Sequence, residues 1–468
     1  MADRPNIVWI YCDELRTDAL GCYGNSHLDV RTPHLDALAG EGVRFANCFC
    51  NSPVCVPSRM TKMTGLYPED TGVYHNEGAW PNYRVDGSFT MFPEVFAAHG
   101  YRTADFGKLH LPRGMNPWQE RGSGSFERAG MMKGVDPGEL GIIEIPGPGS
   151  MIGGHYPGGR PYPPDRLAEE ALEWIHGGGG PYLARLSYVQ PHTPVFPPPP
   201  YDTMHSKADI PDRFSEERTT SRFEGRFAEI QEAHRLTDEQ RRLAQVYYYG
   251  LVSWIDSQVG RVLSALDESG QRENTVVVFD ADHGASLGEG RVFAKHTFAP
   301  QVHRIPRIIS QPGTVPRGQV RDDICEGLDL ARTLFALAGI ESPEQFKGRD
   351  LMDSTPPEAV FGTIGYGYRS SWAFPYLGHG RYPDDHGWPR RACVRTERYR
   401  LDRTVRRDGE IVGPEERDMF FCDWKEDPFE TRNRADDPAL AGEIERLNAL
   451  LDAHVERRVE PPENYVVR

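Results

Sequence analysis

Cys55 stands just ahead of Pro57, and the run Cys55-Val56-Pro57-Ser58-Arg59-Met60-Thr61-Lys62-Met63-Thr64-Gly65 continues as good helix sequence up to a glycine. That pattern puts the thiol at a helix N-terminus, where unpaired backbone N–H groups favour a developing negative charge. A buried, inert cysteine at a helix start carries the same local signature. What raises the chemical reading is the company: Asp13 and Glu14, Arg59, Lys108 and His110, His192, Asp282 and His283, and Lys295 and His296. The carboxylates suit a hard divalent cation such as calcium or magnesium, and His283 would let manganese compete. Arginine and lysine suit the oxygens of a tetrahedral anion. Each residue alone has a bland reading, a solvated turn, a cap or a surface histidine, so the question is whether the chain brings them together.

The elements that would do so alternate between strand and helix. Residues 5–11 (Pro-Asn-Ile-Val-Trp-Ile-Tyr) form a nearly unbroken apolar run, the pattern of a strand buried on both faces of a parallel sheet, and it ends in Cys12-Asp13-Glu14. A helix from Thr32 as N-cap and Pro33 at its first position, a segment over 43–50, a helix over 92–99 and a strand over 101–106 follow, the last leading into Gly107-Lys108-Leu109-His110. Glycine and proline are dense over 112–164, which argues for a long loop walling a pocket rather than regular elements. Asp165 is expected to cap a helix to 176, and a strand over 182–189 ends in Gln190-Pro191-His192. The capping box Thr237-Asp238-Glu239-Gln240 opens a helix over 241–268, in which Tyr247, Tyr248 and Tyr249 read as packing residues more readily than as a stacking surface. Residues 274–279 make the clearest central strand and end in Asp280-Ala281-Asp282-His283. A strand over 304–310 and a helix over 328–337 complete the alternation. Open α/β sheets bind ligands beyond the carboxyl ends of their strands, where these side chains fall. The expected fold is α/β, a large mixed and mostly parallel sheet flanked by helices over 1–355. A smaller C-terminal α+β unit over 356–468 would have strands at 392–401 and 418–423 and a closing helix at 437–457.

Composition bounds the function. With 468 residues and 38% apolar content the chain can bury a sizeable core. The formal net charge of −16 speaks against general nucleic-acid binding, so an anionic substrate needs a local cluster of cations. No stretch approaches the ~20 apolar residues of a membrane span, and Met1-Ala2-Asp3-Arg4-Pro5 runs straight into a strand, so a cytoplasmic protein without membrane partners is expected. The eight cysteines show no CxxC pair, which argues for free thiols over a zinc site at Cys48, Cys50 and Cys55.

The motifs together resemble those of the formylglycine-dependent sulfatases of the alkaline phosphatase superfamily, over nearly the whole chain. Cys55 to Gly65 is similar to the modification signature Cys-x-Pro-x-Arg. Asp13-Glu14-Leu15-Arg16 with Leu20-Gly21-Cys22-Tyr23-Gly24 and Thr32-Pro33-His34-Leu35-Asp36 resembles the opening block, most of all in the iduronate-2-sulfatase-like and choline-sulfatase-like branches. Gly107-Lys108-Leu109-His110, Pro191-His192-Thr193-Pro194 and Asp282-His283-Gly284 with Lys295-His296 resemble the remaining elements, and 394–400 and 423–433 the C-terminal subdomain. The resemblance implies an alkaline-phosphatase-like fold and Cys55 oxidised to formylglycine by a formylglycine-generating enzyme. It implies one divalent cation, calcium first with manganese or magnesium as alternatives, held by Asp13, Glu14, modified Cys55, Asp282 and His283. Glu14 departs from the family's usual Asp by one methylene, which puts its ligation in question. The resemblance further implies that Arg59 and Lys108 hold the hydrate oxygens and that Lys295 neutralises sulfate oxygens. His192, or else His296, would protonate the leaving oxygen, and His110 would take the proton whose loss expels sulfate.

Three readings compete: hydrolysis of a small sulfate ester (sugar, aryl or alkyl), hydrolysis of a phosphonate monoester or phosphodiester on the same scaffold, and non-catalytic anion binding with Cys55 unmodified. Expected pocket walls are His75, Asn76, Arg369, Trp372, His379, His386 and Trp388, whose Trp, Arg and His content suits a sugar or aromatic alcohol as well as simple packing. The chain could also associate with copies of itself.

Overall fold

The computed structural model describes residues 4–24, 30–76, 85, 88–124, 134–146, 150–207, 210, 213–214, 216–293, 295–353, 355–365, 389–407 and 410–455. Sixteen strands occur among them: β1 (Asn6–Asp13), β2 (Val43–Phe49), β3 (Arg102–Gly107), β4 (Glu120–Gly124), β5 (Ile143–Ile145), β6 (Ser150–Gly153), β7 (Tyr182–Pro191), β8 (Thr275–Ala281), β9 (Arg304–Ile305), β10 (Arg307–Ser310), β11 (Gln319–Glu326), β12 (Val360–Ile364), β13 (Arg390–Arg395), β14 (Tyr399–Arg407), β15 (Glu410–Ile411) and β16 (Phe420–Asp423). The main sheet runs β11-β2-β10-β8-β1-β7-β3-β4, with β9 paired to β2. Strands β8, β1, β7, β3 and β4 are mutually parallel, and β10 is antiparallel to both its neighbours. All eight residues of β1 are buried, as expected of a central strand covered on both faces by helices.

The parallel register decides the location of chemistry. Because β1, β7, β3 and β8 point the same way, Asp13, His192, Lys108 and Asp282 leave the sheet at one edge. The cysteine helix, Cys55–Thr64, starts at the same edge and ends at Gly65 in the left-handed region. All ten of its residues are buried, so it is a core element.

The long helix Asp238–Glu268 opens with the expected capping box: Thr237 Oγ1 accepts from the Gln240 N–H (3.2 Å) and Gln240 Oε1 from the Thr237 N–H (2.9 Å). Its three tyrosines are buried packing residues. Tyr248 also reaches the loop after β1, donating to the Glu14 carbonyl (2.6 Å) and accepting from the Arg16 N–H (3.0 Å). Glu14 needs that support, since its φ of +62° is costly for a residue with a Cβ.

Several boundaries differ from expectation for local reasons. Pro306 has no N–H to give a ladder, so 304–310 splits into β9 and β10. Residues 392–401 form a hairpin, not one strand, because Thr396 Oγ1 accepts from the N–H groups of Arg398 (3.4 Å) and Tyr399 (3.1 Å) and turns the chain. The Asp165 carboxylate caps nothing; it accepts from Trp254 Nε1 (2.9 Å) and Gln258 Nε2 (3.2 Å). Strand β11 has no counterpart in the sequence reading, its first residues being polar and exposed. The closing helix starts later than expected, at Ala441, after a 3-10 turn over Pro438–Leu440. All eight cysteines are free, and no helix among the described residues is long and apolar enough to cross a membrane.

The second sheet, β12-β13-β14-β15 with β16 on β14, is antiparallel, and the helix Ala441–Val455 packs on it through Ile444, Leu447 and Leu451. Where it meets the main sheet, buried Glu326 accepts from Tyr67 Oη (2.6 Å) and Asn51 Nδ2 (2.7 Å). Burial and the nearby Asp329 nevertheless push its carboxyl up to about 7. A carboxyl raised on folding contributes stability that is full below its unfolded pKa and is lost as pH rises through 7. Glu326→Gln, which cannot ionise, is therefore expected to gain stability relative to wild type by on the order of 2–3 kcal/mol between pH 5 and pH 8. Urea denaturation of both proteins at the two pH values checks this, and a difference independent of pH would remove the assignment.

Candidate active site

At the carboxyl edge the donor atoms of Asp13, Cys55, Asp282 and His283 lie within 4.8 Å of one another, all four residues buried. Around Cys55 Sγ stand Lys295 Nζ at 2.9 Å, His283 Nε2 at 3.3 Å, Asp13 Oδ1 at 3.6 Å and Asn76 Nδ2 at 4.0 Å. His110 faces the sulfur as well, close enough to act on its ionisation. Burial works to raise the thiol's pKa, but Lys295, Lys108 and His283 outweigh it and hold the thiol well below its ordinary value. The helix start adds to this, with Val56 N–H bonded to Asn76 Oδ1 at 3.0 Å.

The donor set fits a divalent cation. Two carboxylates, one sulfur position and an imidazole converge, and His283 Nδ1 lies 2.8 Å from the Gly284 carbonyl, which turns Nε2 toward the cluster. Burial opposes protonation of His283, yet Asp282 and Cys55 raise its pKa to about 9, the signature of negative charge seeking a cation.

Arg59 does something other than expected. Four of its five N–H donors are occupied: Nε on Asp282 Oδ2 (3.0 Å), Nη2 on Asp13 Oδ2 (3.0 Å), and Nη1 on the Lys108 carbonyl (2.9 Å) and Ser187 Oγ (3.1 Å). Fully buried beneath the site, it clamps the two carboxylates and has little left for hydrate oxygens. Lys108 Nζ likewise pairs with Asp13 Oδ2 at 2.7 Å. Ser187, in the middle of β7, donates to the Lys108 carbonyl at 2.8 Å and completes the clamp. A lone serine inside a strand carried no signal of this in the sequence.

Glu14 also departs from expectation. Its carboxylate lies outside the four-donor group and turns to Lys295 Nζ (2.7 Å), His192 Nε2 (3.3 Å), and Thr193 N–H (3.1 Å) and Oγ1 (3.2 Å). The extra methylene carries it past Asp13, with which it and His192 form a neighbouring group of donors. Burial would raise the Glu14 carboxyl, but His192 and Lys295 hold it below the ordinary range. Lys295 is held well above its ordinary value, burial being overcome by Cys55 and Glu14. His192 Nε2 is 3.0 Å from Lys295 Nζ, and its side chain is 25% exposed. Among Cys55, Lys295, Glu14 and His192, it alone reaches solvent to that degree.

His296 and His75 are buried and stacked, 5.3 Å between centroids at 13°, with Phe227 edge-on to His296 at 5.9 Å. Burial, with His75 and Lys295 adding, holds His296 well below its ordinary value, and burial brings His75 to about 3. Two neutral rings packed face to face form structure beneath the site, so His75 is not an exposed pocket wall. Asn76 is a helix cap beside the sulfur, whereas Arg369, Trp372, His379, His386 and Trp388 lie outside the described residues.

The family profile described as Sulfatase matches residues 5–340. The chain belongs to the sulfatase family. A second profile, N-sulphoglucosamine sulphohydrolase, C-terminal, matches 288–457 of this sulfatase. The Ulvan-active sulfatase of Formosa agariphila is 30% identical over 466 residues, covering 97% of this chain and 81% of that protein. Iduronate 2-sulfatase of Mus musculus is 29% identical over 405 residues, 73% of this chain and 70% of that one. In fold, the sulfatase is similar to the phosphonate monoester hydrolase of Agrobacterium radiobacter, with a TM-score of 0.78, 22% identity and coverage of 97% and 96%.

Proposed function

We propose that this sulfatase cleaves a small sulfate monoester, a sugar sulfate above all, using formylglycine made from Cys55 and one divalent cation held by Asp13, the Cys55-derived group, Asp282 and His283. The convergence of Asp13, Asp282 and His283 on the Cys55 sulfur, with Lys295 2.9 Å away, carries the reading. Sugar substrates draw support from relatives named for ulvan and for iduronate. Cys55 Sγ stands in for the oxygens of the aldehyde hydrate, whose two hydroxyls supply the attack and the later release of sulfate. The cation supplies Lewis acidity and neutralises negative charge.

The chain's own residues do the rest. Arg59 and Lys108 hold Asp13 and Asp282 in place, and Ser187 holds Lys108's backbone. Lys295 presents its ammonium where sulfate oxygens must lie, and Glu14 keeps it and His192 side by side. His192, partly open to solvent, would give a proton to the departing oxygen. His110, whose pKa burial and Lys108 push down, would accept one from the hydrate. A formylglycine-generating enzyme is the partner this scheme requires.

Metal analysis and assay of Asp282→Ala test it: both bound cation and turnover are expected to be lost. Full activity after exhaustive chelation would overturn the cation's part. The second reading, a phosphonate monoester or phosphodiester hydrolase, rests on His283 and on the fold shared with phosphonate monoester hydrolases. Parallel assays of sulfate, phosphonate and phosphodiester substrates rank the two, and kcat/KM is expected to favour sulfate.

A further inference from the structure

A cavity of about 610 Å³ lies behind the loop that carries Asp282 and His283, and none of the residues assigned to the reaction lines it. Its wall is tied to the back of that loop: Arg16 Nη1 donates to the Ala285 carbonyl (3.4 Å) and Gln245 Nε2 to the Leu287 carbonyl (2.8 Å). The lining carries three guanidiniums, Arg16, Arg213 and Arg304, against two carboxylates, Asp18 and Glu289. Both carboxylates are already paired with Arg16. Asp18 accepts from Arg16 at both oxygens (2.7 and 2.6 Å), and Glu289 accepts from Arg16 (2.7 Å) and from the Leu287 N–H (2.7 Å).

Arg304 is different. Among the described residues its guanidinium makes no hydrogen bond and no ion pair, and its Nε is buried without a partner. It lies over the rings of Phe49 and Trp424, at 5.8 and 5.7 Å, with Arg395 adding like charge and Glu430 and Asp18 opposite charge nearby. A half-buried guanidinium without a hydrogen-bond partner has donors free for an oxyanion. Arg213 lies 3.6 Å over Phe429 and also pairs with Glu216 at 3.3 Å. The Tyr249 hydroxyl makes no hydrogen bond among the described residues. Ile210, Tyr23, Pro300 and Phe429 supply apolar wall, which asks for a carbon body rather than a bare inorganic ion.

We propose that this cavity binds an organic oxyanion of single-ring size, a carboxylate or sulfate on a sugar ring, at a site separate from the reaction centre. Arg304 and Arg213 would hold the oxyanion and Tyr249 a ring hydroxyl.

Isothermal titration of the full chain with D-glucuronate, with glucose 6-sulfate and with neutral glucose tests this. The sulfate arm is measured in a Cys55→Ala, Lys295→Met background, which removes the reaction centre's nucleophile and its sulfate-binding ammonium. One or both anions are expected to bind and glucose not, and the comparison of the two anions identifies the oxyanion preferred. Arg304→Met should weaken anion binding about tenfold or more, while Lys295→Met should leave glucuronate binding unchanged. If Arg304→Met does not fold, Arg213→Met carries the same test, with a severalfold loss expected. Absence of anion binding at millimolar concentration, equal binding of glucose, or loss in Lys295→Met but not in Arg304→Met would overturn the site.

Discussion

Cys55→Ala is expected to lower kcat/KM by on the order of 10⁴–10⁶ while leaving the fold intact, the range seen when a reaction's nucleophile is removed and only binding and charge stabilisation remain. The fold should survive because the helix start keeps its cap, Asn76 Oδ1 on the Val56 N–H, and the substitution deletes one atom from a site held by Arg59 and Ser187. Cys55→Ser should be as inactive, since a serine offers one hydroxyl where the hydrate has two, and a covalent ester formed on it would need water to leave. The thermal midpoint of both variants should stay close to wild type or rise. Mass spectrometry of the Cys55 peptide from active protein should show a loss of ~18 Da, the difference between a thiol-bearing and an aldehyde-bearing side chain. Unmodified peptide from fully active protein would sink the assignment.

His192→Ala should slow alkyl or sugar sulfates by roughly two to four powers of ten and nitrophenyl sulfate far less. An alkoxide needs a proton in the transition state, and a nitrophenolate hardly does. Lys295→Ala should slow both substrates alike, because neutralising sulfate oxygens does not depend on the leaving group. The contrast is demanding here because the two side chains are 3.0 Å apart and share Glu14. Measuring kcat/KM for both substrates on both variants separates them. An equal loss for the two substrates in His192→Ala would make His192 a sulfate-binding group and return the acid's role to Lys295 or His296. His296 starts at a disadvantage, since its ring is flat against His75 and sits in the packing beneath the site.

The local rules wrote much of this protein into its sequence. The apolar run of β1, the capping box at Thr237, Pro33 and Gly65 at helix ends, and the titratable residues directly after strands are all decided by neighbours a few positions away. Because strands β1, β3, β7 and β8 are parallel, knowing that each ends in such a residue was enough to anticipate one shared edge. What sequence could not decide is which partner each charge takes, since that depends on side chains brought together from tens to hundreds of positions apart. Arg59 reads as an anion ligand from its motif, yet buried below Asp13 and Asp282 it must pair with them, because two carboxylates cannot be buried so close without a cation between them. Glu14 follows Asp13 in the chain, but a backbone held at positive φ by Tyr248 and one added methylene send its carboxylate to Lys295 and His192. Ser187 and Arg304 had no motif at all; one became a strut and the other an unanswered charge only when β7 met β3 and β9 met β2.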